Sequence, residues 1–127
     1  MKILAAGRTS AERAALSIAR ELELSIEGRG PKNQTHLQSI KHNVRDADGT
    51  LGLTWSGPPH SRSPVINAIL RSPKPSMGVA VRHQGNVASV REWILRHKIK
   101  ALHVTGHVPF TASKQFLRKV LNNGAVA

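Results

Sequence analysis

Near its start the chain reads KILAAGRTSAERAAL, Lys2 to Leu16, and this stretch narrows the folds open to the rest. The apolar run Ile3-Leu4-Ala5-Ala6 stops at Gly7, Arg8-Thr9-Ser10 makes a polar turn, and a helical pattern follows. Thr9 and Glu12 have the spacing of a capping box, in which the hydroxyl and the carboxylate each satisfy a free backbone N–H. The reading is a buried strand, a tight turn and a helix over about Ser10 to Glu23, with Ala11, Ala15, Ile18 and Leu22 as its core stripe. The N-terminus of such a helix carries unpaired N–H groups and a partial positive charge, so it favours anions. Arg8 adds a full charge beside it.

The pattern then repeats with variations. Leu24 to Gly28 is a short strand, and Pro31 to Ser39 reads as loop with at most a helical turn. Asn43 to Asp48 leads into a strand over Gly49 to Trp55. A loop from Ser56 to Arg62 ends at Ser63-Pro64, the form of an N-cap followed by Pro at the first helical position. Val65, Ile66, Ile69 and Leu70 give that helix an apolar face, and Ser72-Pro73 stops it. Ser76 to Val81 and Lys100 to Thr105 are further strands. Asn86 is expected to cap a helix with Val87, Val90, Ile94 and His97 on its inner face and Trp93 beside them. Thr111 is expected to cap a last helix with Phe116, Leu117, Val120 and Leu121 inward and Gly124 after its end.

Strands alternating with amphipathic helices indicate an open, mainly parallel sheet of about five strands covered on both faces, a three-layer α/β/α arrangement. Residues 1–127 show no linker, repeat or low-complexity segment, so one domain is expected, with the first strand central.

Composition bounds the partners. There is no cysteine, which excludes disulfides and thiolate metal sites. Trp55, Trp93, Phe110 and Phe116 are the only aromatics, too few for a platform that stacks single-stranded nucleic acid. No apolar run approaches the roughly 20 residues of a membrane span, and the N-terminus has no signal-peptide pattern, so no membrane is expected and a cytoplasmic location is. The net charge of +12 is uneven: residues 1–48 hold eight Lys/Arg against six Asp/Glu, residues 49–127 eleven against Glu92 alone. Such an excess favours an anionic ligand or polyanion, which keeps a basic nucleic-acid-binding module open as an alternative.

In an open parallel sheet, ligands bind beyond the carboxyl ends of the strands. Four loops meet that edge: Gly7–Ser10, Ser56–Ser63, Arg82–Asn86 and Gly106–Thr111. They bring Arg8, Thr9, Ser10, His60, Ser61, Arg62, Ser63, Arg82, His83, His107 and Thr111, and no Asp or Glu. Helix capping accounts for Thr9, Ser63, Asn86 and Thr111, and turns account for Gly7 and Gly106; capping does not require Arg8 or Arg62. The site expected to hold phosphate therefore comprises Gly7, Arg8, Thr9, Ser10, Ser61, Arg62, Ser63, Gly106 and His107. His60, His83 and His107 could converge but have no metal-ligand spacing, so no metal site is expected. His97 and His103 read as packing residues.

Asp46-Ala47-Asp48-Gly49-Thr50 matches the DxDGT signature of haloacid-dehalogenase-like phosphatases. Those enzymes place the first Asp after a hydrophobic strand; here the strand follows it. Both carboxylates then sit at the wrong sheet edge, and Asp46 and Asp48 are expected to shape the strand entrance.

Read with its neighbours, the same stretch resembles another family. AAGRTSAERAAL resembles the GGQTGVDRAAL opening of the putative molybdenum carrier proteins, in the SLOG group of Rossmann-like domains, and HNVRDADGTLGL resembles their NVRDSDGTLIL segment. Gly30-Pro31-Lys32 falls where they have CPKG, Lys74-Pro75 matches their KP, and LHVTGHVPFTASKQFLRKVL is similar to their ending. The resemblance implies a Rossmann-like domain binding a nucleotide-like or molybdenum-cofactor-like ligand over the first loop, and the family name implies a carrier role; with no Asp or Glu on the four loops, a non-enzymatic binding domain is the first expectation. At the ligand loops GGQTG is here Ala6-Gly7-Arg8-Thr9-Ser10, and TGGT is Pro59-His60-Ser61-Arg62-Ser63-Pro64. Arg8 and Arg62 would then supply from side chains what the family takes from backbone N–H groups. Related phosphoribohydrolases use a PGGxGTxxE motif that this chain lacks, so their hydrolysis is not expected; a nucleotide-processing hydrolase stays a second alternative. Other relatives bind single-stranded DNA. Oligomerisation is left open.

Overall fold

The computed structural model describes residues 1–28, 34–56 and 64–122. Strands and helices alternate throughout: β1 (Lys2–Leu4), α1 (Ser10–Glu21), β2 (Ser25–Glu27), α2 (His36–Asp46), β3 (Gly49–Thr54), α3 (Pro64–Arg71), β4 (Ser76–Ala80), α4 (Asn86–Arg96), β5 (Ala101–Gly106) and α5 (Phe110–Leu121). The strands form one parallel sheet in the order β2-β1-β5-β3-β4. This is the expected Rossmann-like three-layer α/β/α fold. The centre, however, belongs to β5, with β1 between it and β2. β5 carries His103 and Thr105 among its buried residues, so it looks less apolar than a central strand; both side chains find polar partners inside.

Side chains alternate across the sheet. Ile3, Leu51, Leu53, Leu102 and Val104 face one layer, where they pack with Ala11, Ala15 and Ile18 of α1, Val90 and Ile94 of α4, and Phe116, Leu117 and Val120 of α5. A smaller cluster, Ile40, Val44 and Ile69 with Val65 against them, joins α2 to α3. Right-handed crossovers place these two helices on the other face.

Helix α2 is the main departure from expectation, because Pro31 to Ser39 reads as loop with at most a helical turn and no helix is expected before β3. A second capping box starts it: Thr35 Oγ1 accepts from the Gln38 N–H at 3.1 Å, and Gln38 Oε1 accepts from the Thr35 N–H at 2.8 Å. Asn43, buried on its inner side, donates to the Gly28 carbonyl at 2.9 Å. Asp48 does shape a strand entrance. Its Oδ2 accepts from the N–H groups of Lys100 and Ala101 at 3.0 and 2.9 Å, tying the start of β5 to that of β3, and those bonds lower its pKa. Lys74 donates to the carbonyls of Arg45 and Ala47, closing the end of α2.

Two caps are corrected. Asn86 opens α4, but its side-chain amide donates back to the Ala80 carbonyl at 2.8 Å and caps nothing. Helix α5 starts one residue before Thr111, with Pro109 as N-cap and no side-chain cap. His97 is exposed and meets Trp93 edge-on at 6.1 Å, so it is not part of the inner face; His103 is fully buried, as expected of a packing residue. Among the described residues no helix is long and apolar enough to cross a membrane.

Candidate functional site: an arginine-bearing loop over a buried carboxylate

Gly7 turns the chain out of β1 with φ +79°, a conformation that favours glycine. Thr9 is the N-cap of α1, and the capping box is formed as expected. Its second member does more than cap. Glu12 is completely buried, and both oxygens are in use. Oε1 accepts from the N–H groups of Arg8 and Thr9, at 2.8 and 3.2 Å. Oε2 accepts from Thr105 Oγ1 at 2.8 Å and meets His36 Nε2 at 3.0 Å. One carboxylate thus joins the β1–α1 loop, the end of β5 and the first turn of α2. Burial alone would raise its pKa. The bonds from His36, the Arg8 N–H and Thr105 outweigh that and hold it below the ordinary glutamate value.

The carboxyl edge therefore does hold an acid, contrary to the expectation of none. The capping-box spacing pointed to Glu12, but nothing local signals that it is buried or that it reaches Thr105 and His36, which sequence reasoning also missed. The polar face of β5 continues below it. His103 Nδ1 lies 3.2 Å from Thr50 Oγ1, while its Nε2 is buried with no partner among the described residues. Burial pushes the His103 pKa down to about 4, against a smaller opposing pull from Glu12.

Above the loop, Arg8, Thr9, Ser10 and His107 line one pocket of about 470 Å³ together with Arg13, Val108 and Pro109. Arg8 is exposed, and its guanidinium donates to the Gln34 carbonyl beside α2. Arg13, which the sequence reading did not single out, donates to the Arg8 carbonyl at 3.0 Å and to Ser10 Oγ at 3.4 Å. Its i+3 spacing from Ser10 was the available signal. Gly106 does not line the pocket; it sets the path of the loop that does. Its φ is +140°, and a Cβ there would lie 2.3 Å from the Leu53 carbonyl oxygen.

The other expected site residues divide in two. Ser61, Arg62 and Ser63, with His60, lie outside the described residues. Arg82 and His83 follow β4, the outermost strand, separated from β5 by β3, and are not among the pocket residues. Among the described residues no group of three His, Asp or Glu could hold a metal ion.

The pocket's donors are two guanidinium groups, an imidazole and two hydroxyls, a set suited to an oxyanion. The capping arrangement changes how such a group would be held. The N–H groups of Arg8 and Thr9 already point to Glu12, and that of Glu12 points to Thr9 Oγ1 at 3.1 Å. Side chains, more than these backbone groups, face the pocket.

Parallel sheet, helix-end loop and strand order define a SLOG-type Rossmann-like fold. Residues 31–115 match the circularly permutated YpsA SLOG family, and the chain belongs to that family. A crystal structure of a putative molybdenum carrier protein from Syntrophus aciditrophicus SB has the same fold, with a TM-score of 0.80 at 21% identity over 94% of each chain. No curated protein matches in sequence.

Proposed function

We propose that the chain is a binding or carrier domain for a small phosphorylated ligand, nucleotide-like or molybdenum-cofactor-like, and that it does not catalyse a reaction. The observation that carries the reading is the convergence of Arg8, Ser10, Arg13 and His107 on one pocket over a loop fixed by Glu12. The molybdenum carrier likeness of the structural relative supports the ligand class. The donor set also fits molybdate, itself a tetrahedral oxyanion. A binding role is favoured over hydrolysis because the carboxylate nearest the pocket is fully buried with both oxygens occupied, so it is poorly placed to exchange protons with a ligand.

Calorimetry with AMP, inorganic phosphate and molybdate tests the proposal. At least one should bind, and Arg8→Glu should abolish binding. Arg13→Ala should weaken it without touching the Arg8–Gln34 contact. Binding that ignores both substitutions would remove this pocket from consideration.

A further inference from the structure

A second cavity, of about 680 Å³, runs between α2 and α3 and shares no lining residue with the Arg8 pocket. Four cations border it: Lys41 and Arg45 of α2, Arg71 in the last turn of α3, and Lys74 just beyond. Among the described residues no acidic side chain lines it. Between the cations the lining is largely aliphatic, with Leu37, Val44 and Ala68 flanked by Pro64 and Pro73. Two of the charges are fixed in place: Lys74 by the Arg45 and Ala47 carbonyls, Arg45 by Asp46 at 3.1 Å. Lys41 and Arg71 are exposed at the rim.

An aliphatic channel edged by positive charge complements a segment that carries both acidic and aliphatic side chains. Among the described residues the cavity has no aromatic lining on which a base could stack, which favours protein over single-stranded nucleic acid. The chain's own acids are poorly placed to fill it in a second copy. Glu12 is buried, Glu21 pairs with Lys114 and Arg118, Glu27 with Lys2, Asp46 with His42 and Arg45, and Glu92 with Arg96, while Asp48 accepts from the Lys100 and Ala101 N–H groups; that leaves the exposed Glu23, a single acid against four cations. We propose that this groove docks an acidic, leucine-bearing segment of a partner protein, laid between α2 and α3 in the helix-in-groove manner.

Fluorescence anisotropy with three labelled probes of equal charge tests this: a glutamate peptide with leucine at every third or fourth position, the same peptide with serine for leucine, and an oligothymidylate. The leucine peptide should bind the wild-type chain at least roughly tenfold more tightly than either other probe, a difference of about 1.4 kcal/mol. The double substitution Lys41→Glu, Arg71→Glu should lower that affinity by a similar factor. Ala68→Gln, which narrows the channel and keeps the charge, should lower it as well. Absence of binding, equal affinity for the serine peptide or the oligothymidylate, or indifference to both variants would overturn the proposal.

Discussion

Replacing Glu12 offers the sharpest check on how the loop is held. In Glu12→Ala the N–H groups of Arg8 and Thr9, the Thr105 hydroxyl and the His36 ring all lose their acceptor. A buried donor left without a partner costs about 1–3 kcal/mol, and loss of a capping interaction adds about 1 kcal/mol. Arg8 and Thr9 are at least partly open to water, which reduces their share. Thr105 is buried and has no such relief. The sum is about 4 kcal/mol. In Glu12→Gln the oxygen facing the loop remains, and only the side toward Thr105 and His36 changes. That variant should lose about half as much. Urea titration followed by circular dichroism gives both values, and the midpoint should fall without a change in slope. For a chain of this size the Ala variant should melt roughly 15 °C lower. Loss of less than about 0.5 kcal/mol in both variants, the level of an ordinary surface substitution, would refute the assignment of Glu12 as the centre of the loop.

Two further outcomes follow from buried groups. His103 titrates near 4 in the folded chain against 6.5 when exposed, so the unfolded state takes up the proton first. Stability should be complete above about pH 6.5 and decline by on the order of 3 kcal/mol as pH falls toward 4; His103→Leu should flatten that slope, and equal slopes in pH-dependent urea melts would contradict the assignment. Gly106→Ala should cost more than about 2 kcal/mol, because its φ of +140° and the Leu53 carbonyl both resist a Cβ; a thermal melt matching wild type would show that the β5 loop can move aside.

Much of the fold is legible in the residues, because each strand–turn–helix unit carries its own signal. Gly7 breaks a strand, Thr9 and Glu12 start a helix, and the Ala11-Ala15-Ile18 stripe says which side is inside. Helix α2 is harder. Its cap at Thr35 and Gln38 is written plainly, but its buried face is only Ile40 and Val44 plus the polar Ser39 and an Asn43 held by Gly28. A helix held by a hydrogen bond across sequence to another strand has a weak periodic signal of its own. The same holds for β5, whose His103 and Thr105 look unsuited to a sheet centre until Thr50 and Glu12 are placed opposite them. For the pocket, Arg8, Thr9, Ser10 and His107 were readable from the loops that carry them. Glu12 was readable as a cap and not as a hub, since its partners lie 24 and 93 positions away. Asn86 and Thr111 show the converse: residues with capping chemistry stand at helix starts without capping them.

The loop over Glu12 carries its own anion, and this bears on how fast a ligand could come and go. Loops that become ordered only on binding give up about 1–2 kcal/mol of backbone entropy per residue at that moment. Here Arg8 and Thr9 are fastened to a carboxylate that stays when the pocket empties. The loop backbone is thus held by bonds that need no ligand, and its ordering cost is met before any ligand arrives. Association that needs no prior conformational step is spared the slowing such a step imposes. For the binding role proposed above, a glutamate buried in the first turn of α1 means that a ligand meets a loop already formed.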